Sequence, residues 1–353
     1  MNNKFEGHNG QWQIIDSEFL FCSQMIVRVL NGARGAHPLI KQQKKFFQSA
    51  ALSHDRICET SSSLSNRSQI SSNPSCLISR RQMSSVSKDE VTKFSKMAQT
   101  WWEPEKNPLI SMNPVRMSFI LQTLQQTHSV NMEYEQDSSL GEPAKFSFKP
   151  LKGLKALDVG CGGGLLSESL ARLGANVTAV DPSVHVADAA REHSKMEEVT
   201  RTIDYKGGYS VEDLAKEYSE NQERDLFDVI CILEVIEHAA DPLNLVQNAA
   251  SLLKKPSKDS PGGVLFVSTI NRTAKSFAVA IVGGEYILGK LPIGTHSWEK
   301  FLSPKEVRSM VAKFGMKEYS TNGMVLRPPF YDMSWYLDDG DKDINWIGAY
   351  SHD

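Results

Sequence analysis

The sequence predicts an α/β fold whose mostly parallel sheet carries helices on both faces, and three observations lead there. From Lys88 onward, short continuous Val/Ile/Leu runs alternate with amphipathic stretches, as strands buried on both sides do. A glycine-rich turn separates the first of these runs from the helix that follows it. Acidic residues close the second and fourth runs, at the carboxyl ends where an open parallel sheet keeps its ligand crevice.

Taken in order, LKALDVG (154–160) reads as a buried strand and LLSESLARLG (165–174) as the helix behind it. NVTAVD (176–181) is a second strand, followed by a helix over HVADAAREHSKM (185–196). TIDYKGG (202–208) leads to a helix starting near Ser210. FDVICILEV (227–235) is the fourth strand, PLNLVQNAASLLK (242–254) a helix, and GGVLFVSTIN (262–271) the fifth strand. The stretch 127–150 reads as a polar surface excursion.

With 353 residues, 40% apolar and 23% charged, the chain has the make-up of a soluble globular protein with a sizeable core. A net charge of −3 gives no sign of a nucleic-acid partner. No run approaches the ~18 apolar residues that suggest a membrane span. Cys22, Cys58, Cys76, Cys161 and Cys231 are scattered and odd in number, which reads as free thiols in a reducing compartment.

Residues 88–353 are expected to form the single folded domain. Before it, residues 25–87 are basic and serine-rich, with ten basic residues against Asp55 and Glu59 between Met25 and Lys88. That bias is the pattern of an organellar transit peptide, with the mitochondrion the first choice, although composition leaves a solvated disordered tail open. Residues 1–24 lack the bias, so they read as a dispensable extension and Met25 as the functional start.

The sharpest signal is Asp158-Val159-Gly160-Cys161-Gly162-Gly163-Gly164 between strand and helix. Glycines at such a turn let backbone amides approach a ligand closely. A dinucleotide fingerprint requires a third glycine where Leu165 stands, which weakens a nicotinamide reading. Asp181, about 20 residues beyond the turn, is placed to accept both hydroxyls of a ribose, with a helix cap as the plainer alternative. Ser210 is suited to cap a helix with Asp213.

Three stretches together resemble the ubiquinone biosynthesis O-methyltransferases, a family of class I S-adenosylmethionine-dependent enzymes. They are KFSKMAQTWWEPEKNPLISMNPVRMSFI (93–120), LDVGCGGGLLSESLARLGANVTAVD (157–181), and LEVIEH (233–238) joined to STINRTAKSFAVAIVGGEYILGKLPIGTH (268–296). The resemblance covers most of 91–353. It implies a Rossmann-like, mostly parallel seven-stranded sheet and S-adenosylmethionine as cofactor. Arg116, Asp158, Gly160, Gly162, Asp181 and Leu233 then stand at the cofactor, and Ser210-Val211-Glu212 stands where the family flanks the adenine, level with the capping reading of Ser210. Arg116 suits the methionine carboxylate as a bidentate partner, a surface arginine being the alternative. The chain departs from the family at Ile110, where a histidine is usual after Pro-Leu.

The implied reaction is methyl transfer to a hydroxyl of polyprenyl-dihydroxybenzoate and of demethylubiquinol. A phenol with a pKa near ~10 needs a base or a metal to become a nucleophile at neutral pH. Glu234, Glu237 and His238, an E-x-x-E-H cluster at the end of the fourth strand, are the candidates. By the resemblance they hold magnesium, with Glu234 and His238 the catalytic pair; the alternative keeps His238 as general base without a metal. Ser276–Leu291, apolar but too short to span a bilayer, reads as a peripheral membrane contact or a lid, with a core helix as the alternative. The implied partners are other ubiquinone-biosynthesis proteins on the matrix side of the mitochondrial inner membrane. A methyltransferase for another small acceptor and a non-catalytic scaffold subunit are the rival readings.

Overall fold

The computed structural model describes residues 84–133, 135–137, 145–221, 225–258, 260–279, 297–327 and 333–352. The extension 1–24, the basic segment up to residue 83, and residues 280–291 of the expected membrane contact lie outside the described residues. Among the described residues, contacts with the domain are present three residues before Lys88. Ser85 N donates to Glu212 Oε1 at 2.7 Å and Ser85 O accepts from Ala240 N at 2.7 Å, so Ser85 already belongs to the domain.

A helix α1 (Lys88–Ser95) and a long helix α2 (Leu109–His128) precede the sheet. Within the 127–150 excursion, β1 (Glu135–Asp137) pairs antiparallel with β2 (Lys145–Ser147). The alternating core follows as β3 (Lys155–Val159), α3 (Leu165–Arg172), β4 (Asn176–Asp181), α4 (Val184–Ser194), β5 (Asp204–Gly207), α5 (Val211–Glu220), β6 (Val229–Leu233), α6 (Pro242–Leu252) and β7 (Val264–Ile270). α7 (Pro304–Ala312), β8 (Met316–Leu326), β9 (Trp335–Asp338) and β10 (Asn345–His352) complete it.

The main sheet runs β5-β4-β3-β6-β7-β10-β8-β9. Its first five strands are parallel, whereas β10, β8 and β9 pair antiparallel. After β5 the chain crosses back to lay β6 on the other side of β3. The crevice of an open α/β sheet opens at such a reversal, here at the carboxyl ends of β3 and β6. The sheet has eight strands where the resemblance implies seven. The additional edge strand β9 pairs Trp335 with Leu326, and Trp335 Nε1 donates to Ser111 Oγ on α2 at 3.1 Å.

Side-chain alternation explains the continuous apolar runs. Val229, Cys231 and Leu233 join one core with α2 and α3, while Ile230 and Ile232 join the opposite core with α5, α6 and α7. All of β6 and β7 is buried. β6 stops at Leu233, short of the expected Val235, because Glu234 takes a left-handed φ of 58°.

Candidate cofactor and active site

The turn after β3 is built by glycines in the left-handed region, with φ of 70° at Gly160, 55° at Gly162 and 88° at Gly164. Side chains rarely adopt that conformation, and a Cβ on Gly160 would come within 2.7 Å of Val235 Cγ2. Gly160 N donates to Val180 O at 2.8 Å, fastening the turn to β4. Asp181, at the end of β4, accepts from Gly162 N at 3.0 Å and from Ser183 N at 2.8 Å. Ser183, not Asp181, supplies the side-chain cap of α4, so the capping alternative for Asp181 is not what the structure contains. Burial pushes the Asp181 carboxyl up to about 6 despite those two amides.

Asp158 accepts from Ser167 Oγ at 2.6 Å, and burial raises it to about 6 against that bond and the charge of Arg116. Ser210 forms a capping box with Asp213 at the start of α5. Glu212 Oε1 accepts from Ser85 N and from Asn244 Nδ2 at 3.0 Å, but its buried Oε2 has no hydrogen-bond partner. Arg116 is 3% exposed, which removes the surface alternative. Its Nη2 lies 3.5 Å from Glu234 Oε1, and Nε and Nη2 have no hydrogen-bond partner.

At the end of β6, Ser268 Oγ donates to Glu234 Oε1 at 2.7 Å and Glu234 N donates to Ser268 O at 2.9 Å. One 3-10 turn, Ile236–His238, follows. Glu237 is 3% exposed and neither of its carboxylate oxygens has a hydrogen-bond partner. Burial first, and the adjoining Glu234 second, push its carboxyl well above the usual carboxylate range, with the charge of Arg116 opposing. His238 Nδ1 lies 3.1 Å from Glu90 Oε2, and Phe94 meets its ring edge-on at 4.9 Å. Burial opposes ionisation of Glu90. The His238 hydrogen bond and charge, with Lys300 and Lys93, outweigh it and hold that carboxyl at about 2.

The three residues expected to hold magnesium therefore do not converge. Glu234 turns to Ser268 and Arg116, and His238 turns to Glu90. Among the described residues no group of three or more His, Cys, Asp or Glu side chains is arranged to hold a metal. The donor chemistry still suits a hard cation, since the carboxylates of Glu234 and Glu237 adjoin and the oxygens of Glu237 are unpartnered.

The lead-in 84–120 closes over the glycine turn. Trp102 Nε1 donates to Gly163 O at 2.9 Å, and its ring stacks on His193 at 3.6 Å. Trp101 lies against Gly162 and Gly163, where Cβ atoms would collide with its indole. Ser95 and Ser183 hydroxyls meet at 2.7 Å, and Asn113 Nδ2 donates to Ser169 Oγ at 2.8 Å. Sequence reasoning missed Ser85, Glu90 and Phe94. The i, i+4 spacing of Glu90 and Phe94 on a helix places them on one face, and that signal was available.

These elements line a cavity of about 1140 Å³. Gly160, Gly162, Asp181, Ser210, Glu212 and Leu233 line one end, and Glu234, Glu237 and His238 adjoin it. The fit to S-adenosylmethionine rests on this structure's own features. The carboxylate oxygens of Asp181 suit a ribose and the orphaned acceptor of Glu212 suits an amine; Arg116 keeps orphaned guanidinium N–H groups that suit a carboxylate, but it stands beside Glu234 and is not among the residues lining the cavity.

Comparison with known proteins agrees with this geometry. A family model described as a methyltransferase domain matches residues 133–320. The chain is 41% identical over 268 residues to the ubiquinone biosynthesis O-methyltransferase of Cereibacter sphaeroides, covering 75% of this chain and 96% of that protein. It is 38% identical over 267 residues to the protein of the same name from Pelagibacter ubique, covering 75% and 98%. With the mitochondrial ubiquinone biosynthesis O-methyltransferase of Arabidopsis thaliana it shares 38% identity over 297 residues, covering 84% and 80%. A buried glycine turn fastened to Asp181, the E-x-x-E-H turn beside it, and matches covering 80% to 98% of the length of these relatives lead to one conclusion: the chain belongs to the ubiquinone biosynthesis O-methyltransferase family.

Proposed function

We propose that the protein transfers a methyl group from S-adenosylmethionine to a hydroxyl of a polyprenyl catechol in ubiquinone biosynthesis. The acceptors are polyprenyl-dihydroxybenzoate and demethylubiquinol, and the place is the mitochondrion, on the matrix side of the inner membrane. The observation that carries the reading is that the cofactor residues and the Glu234–His238 turn line one cavity, which lets donor and acceptor be held side by side. The Arabidopsis relative supports the mitochondrial assignment by its name. Assembly with other ubiquinone-biosynthesis proteins and membrane contact through Ser276–Leu291 belong to the same proposal.

The cofactor supplies an electrophilic methyl on a sulfonium. Asp181 and Glu212 hold its nucleoside end, and Arg116 its carboxylate. His238 takes the phenol proton, raising the electron density on the attacking oxygen. Glu90, ionised throughout the neutral range, holds the imidazole from the side and stabilises its charged form. Glu234 is pinned by Ser268 and Arg116 beside the reacting oxygen.

A second reading is favoured by the orphaned oxygens of Glu237. Glu234, Glu237 and His238 would hold magnesium, which would lower the phenol pKa and orient both catechol oxygens. The test follows labelled methyl transfer to a short-chain prenyl catechol, with magnesium and then with chelator. Product only with metal supports the magnesium reading, and product in chelator supports His238 as base. No methyl ether under either condition, despite tight cofactor binding, sinks the proposed reaction.

A further inference from the structure

The cavity wall carries a buried polar side chain that the proposed reaction leaves unused. Asn345 opens β10, lines the cavity and is 9% exposed. Its register neighbours are Ile270 on β7 and Met324 on β8, so the side chains beside it on both strands are apolar. Among the described residues its amide makes no side-chain hydrogen bond. Asn107, also buried on this wall, spends its amide on Trp101 O at 2.8 Å and Leu109 N at 3.1 Å. Buried amides are paired almost without exception, so an unpaired one on a cavity wall points to a ligand group. Alternation places Asn345 on the sheet face of Ile347 and Ala349, which is also the face of Phe266 and, two residues on, Ser268. Ser268 Oγ holds Glu234 Oε1 at 2.7 Å, so the Glu234 carboxylate and the Asn345 amide share that face. The strand order β6-β7-β10 puts two strand spacings, roughly 9–10 Å, between the end of β6 and the start of β10. One aromatic ring with its oxygens bridges such a span.

We infer that Asn345 hydrogen-bonds the oxygen group that each acceptor carries on its ring beyond the catechol pair, a carboxylate in the dihydroxybenzoate and a hydroxyl in the quinol. The inference rests on the proposed reading that the acceptor ring sits at the Glu234–His238 turn. An amide both donates and accepts and carries no charge, so its N–H serves the carboxylate and either of its ends serves the hydroxyl. An acid at this place would repel the benzoate, and a lysine would favour the benzoate over the quinol. Lys275, which also lines the cavity, is taken by Asp341 at 2.8 Å and Asp343 at 3.3 Å. Asn345 is thereby a specificity-determining residue that lets one site accept both rings.

The experiment uses the full chain and three short-chain prenyl catechols that carry a carboxylate, a hydroxyl or hydrogen para to one catechol hydroxyl, handled without oxygen. It measures kcat/KM for methyl transfer and, separately, equilibrium binding of each catechol. For the unaltered protein both oxygen-bearing acceptors are expected to exceed the hydrogen-bearing one by about tenfold in each quantity. Asn345→Leu, close in size and without polar side-chain atoms, is expected to bring both ratios to within about threefold of one. Asn345→Asp is expected to keep the hydroxyl ratio and to lower the carboxylate ratio by about tenfold or more, a split between acceptors that a merely structural role does not produce. Should Asn345→Leu misfold, that split decides alone. Ratios unchanged in the folded variants, or no preference in the unaltered protein, overturn the inference. If no catechol is methylated, the reaction reading fails while the binding ratios still decide the Asn345 assignment.

Discussion

Replacing Asp181 by asparagine tests the cofactor cradle most directly. Asp181 serves two backbone donors, Gly162 N at 3.0 Å and Ser183 N at 2.8 Å, with one oxygen each. Asparagine has one accepting oxygen and one donating amide group. Whichever way it turns, one of those N–H groups faces another donor. Leaving a buried donor unpaired costs about 1–3 kcal/mol. Part of that is offset, because burial already disfavours the ionised carboxyl. A net loss of about 1 kcal/mol corresponds to a fall of roughly 0.3–1 M in the urea midpoint. Cofactor binding suffers more: a hydrogen bond to a charged group contributes about 1.5–3 kcal/mol, so the dissociation constant rises roughly 10- to 150-fold. Calorimetric titration with S-adenosylmethionine, alongside urea denaturation at pH 7.5, measures both. An Asp181→Asn protein that unfolds at the expected midpoint yet binds the cofactor within threefold of the original refutes the ribose assignment.

Acid raises a second expectation at the same residues. Asp158 and Asp181 are both raised to about 6 in the fold from about 3.8. The folded state therefore holds their protons more tightly, and the stability they contribute is full below about 3.8 and lost as pH rises through about 6. Cofactor affinity runs the opposite way, increasing through pH 6 as Asp181 ionises, and titrations from pH 5 to 8 read the slope. Glu90→Gln leaves the His238 contact without its charge and is expected to lower kcat by about 10- to 100-fold, with cofactor affinity nearly unchanged; an unaltered kcat dismisses Glu90 as the residue that positions His238. A chain starting at Lys88 loses both backbone bonds of Ser85, one of them to Glu212, so its cofactor dissociation constant is expected to be about tenfold weaker than that of a chain starting at Gln82.

The parallel half of the sheet was readable because its strands are buried on both faces, which makes Val229–Leu233 and Val264–Ile270 uninterrupted apolar runs. β8 and β10 escaped notice. β8 is mostly polar and partly exposed through Asn322, and β10 includes Gly348, so neither shows a bare apolar run. The cofactor residues were legible because a glycine turn and a strand-end acid are local patterns. Glu90 and Ser85 act across the fold, on residues more than a hundred positions away, and no local pattern records such pairings. The orientation of His238 was equally hidden, since spacing places three candidate ligands on one turn but does not say which way each points.

The lead-in over the glycine turn also has a kinetic consequence. Its hold on the domain includes four hydrogen bonds: Ser85 N to Glu212, Ala240 N to Ser85 O, Ser95 with Ser183, and Trp102 to Gly163 O. At about 0.5–1.5 kcal/mol net for each, they sum to about 2–6 kcal/mol, which leaves roughly one molecule in 30 to one in 25,000 open at any instant. Val91, Phe94 and Trp101 line the cavity from this segment, so each opening widens the way out for a spent cofactor. The expected outcome is turnover paced by departure of the demethylated cofactor, read in rapid-quench kinetics as a burst of one methyl ether per enzyme before the steady state.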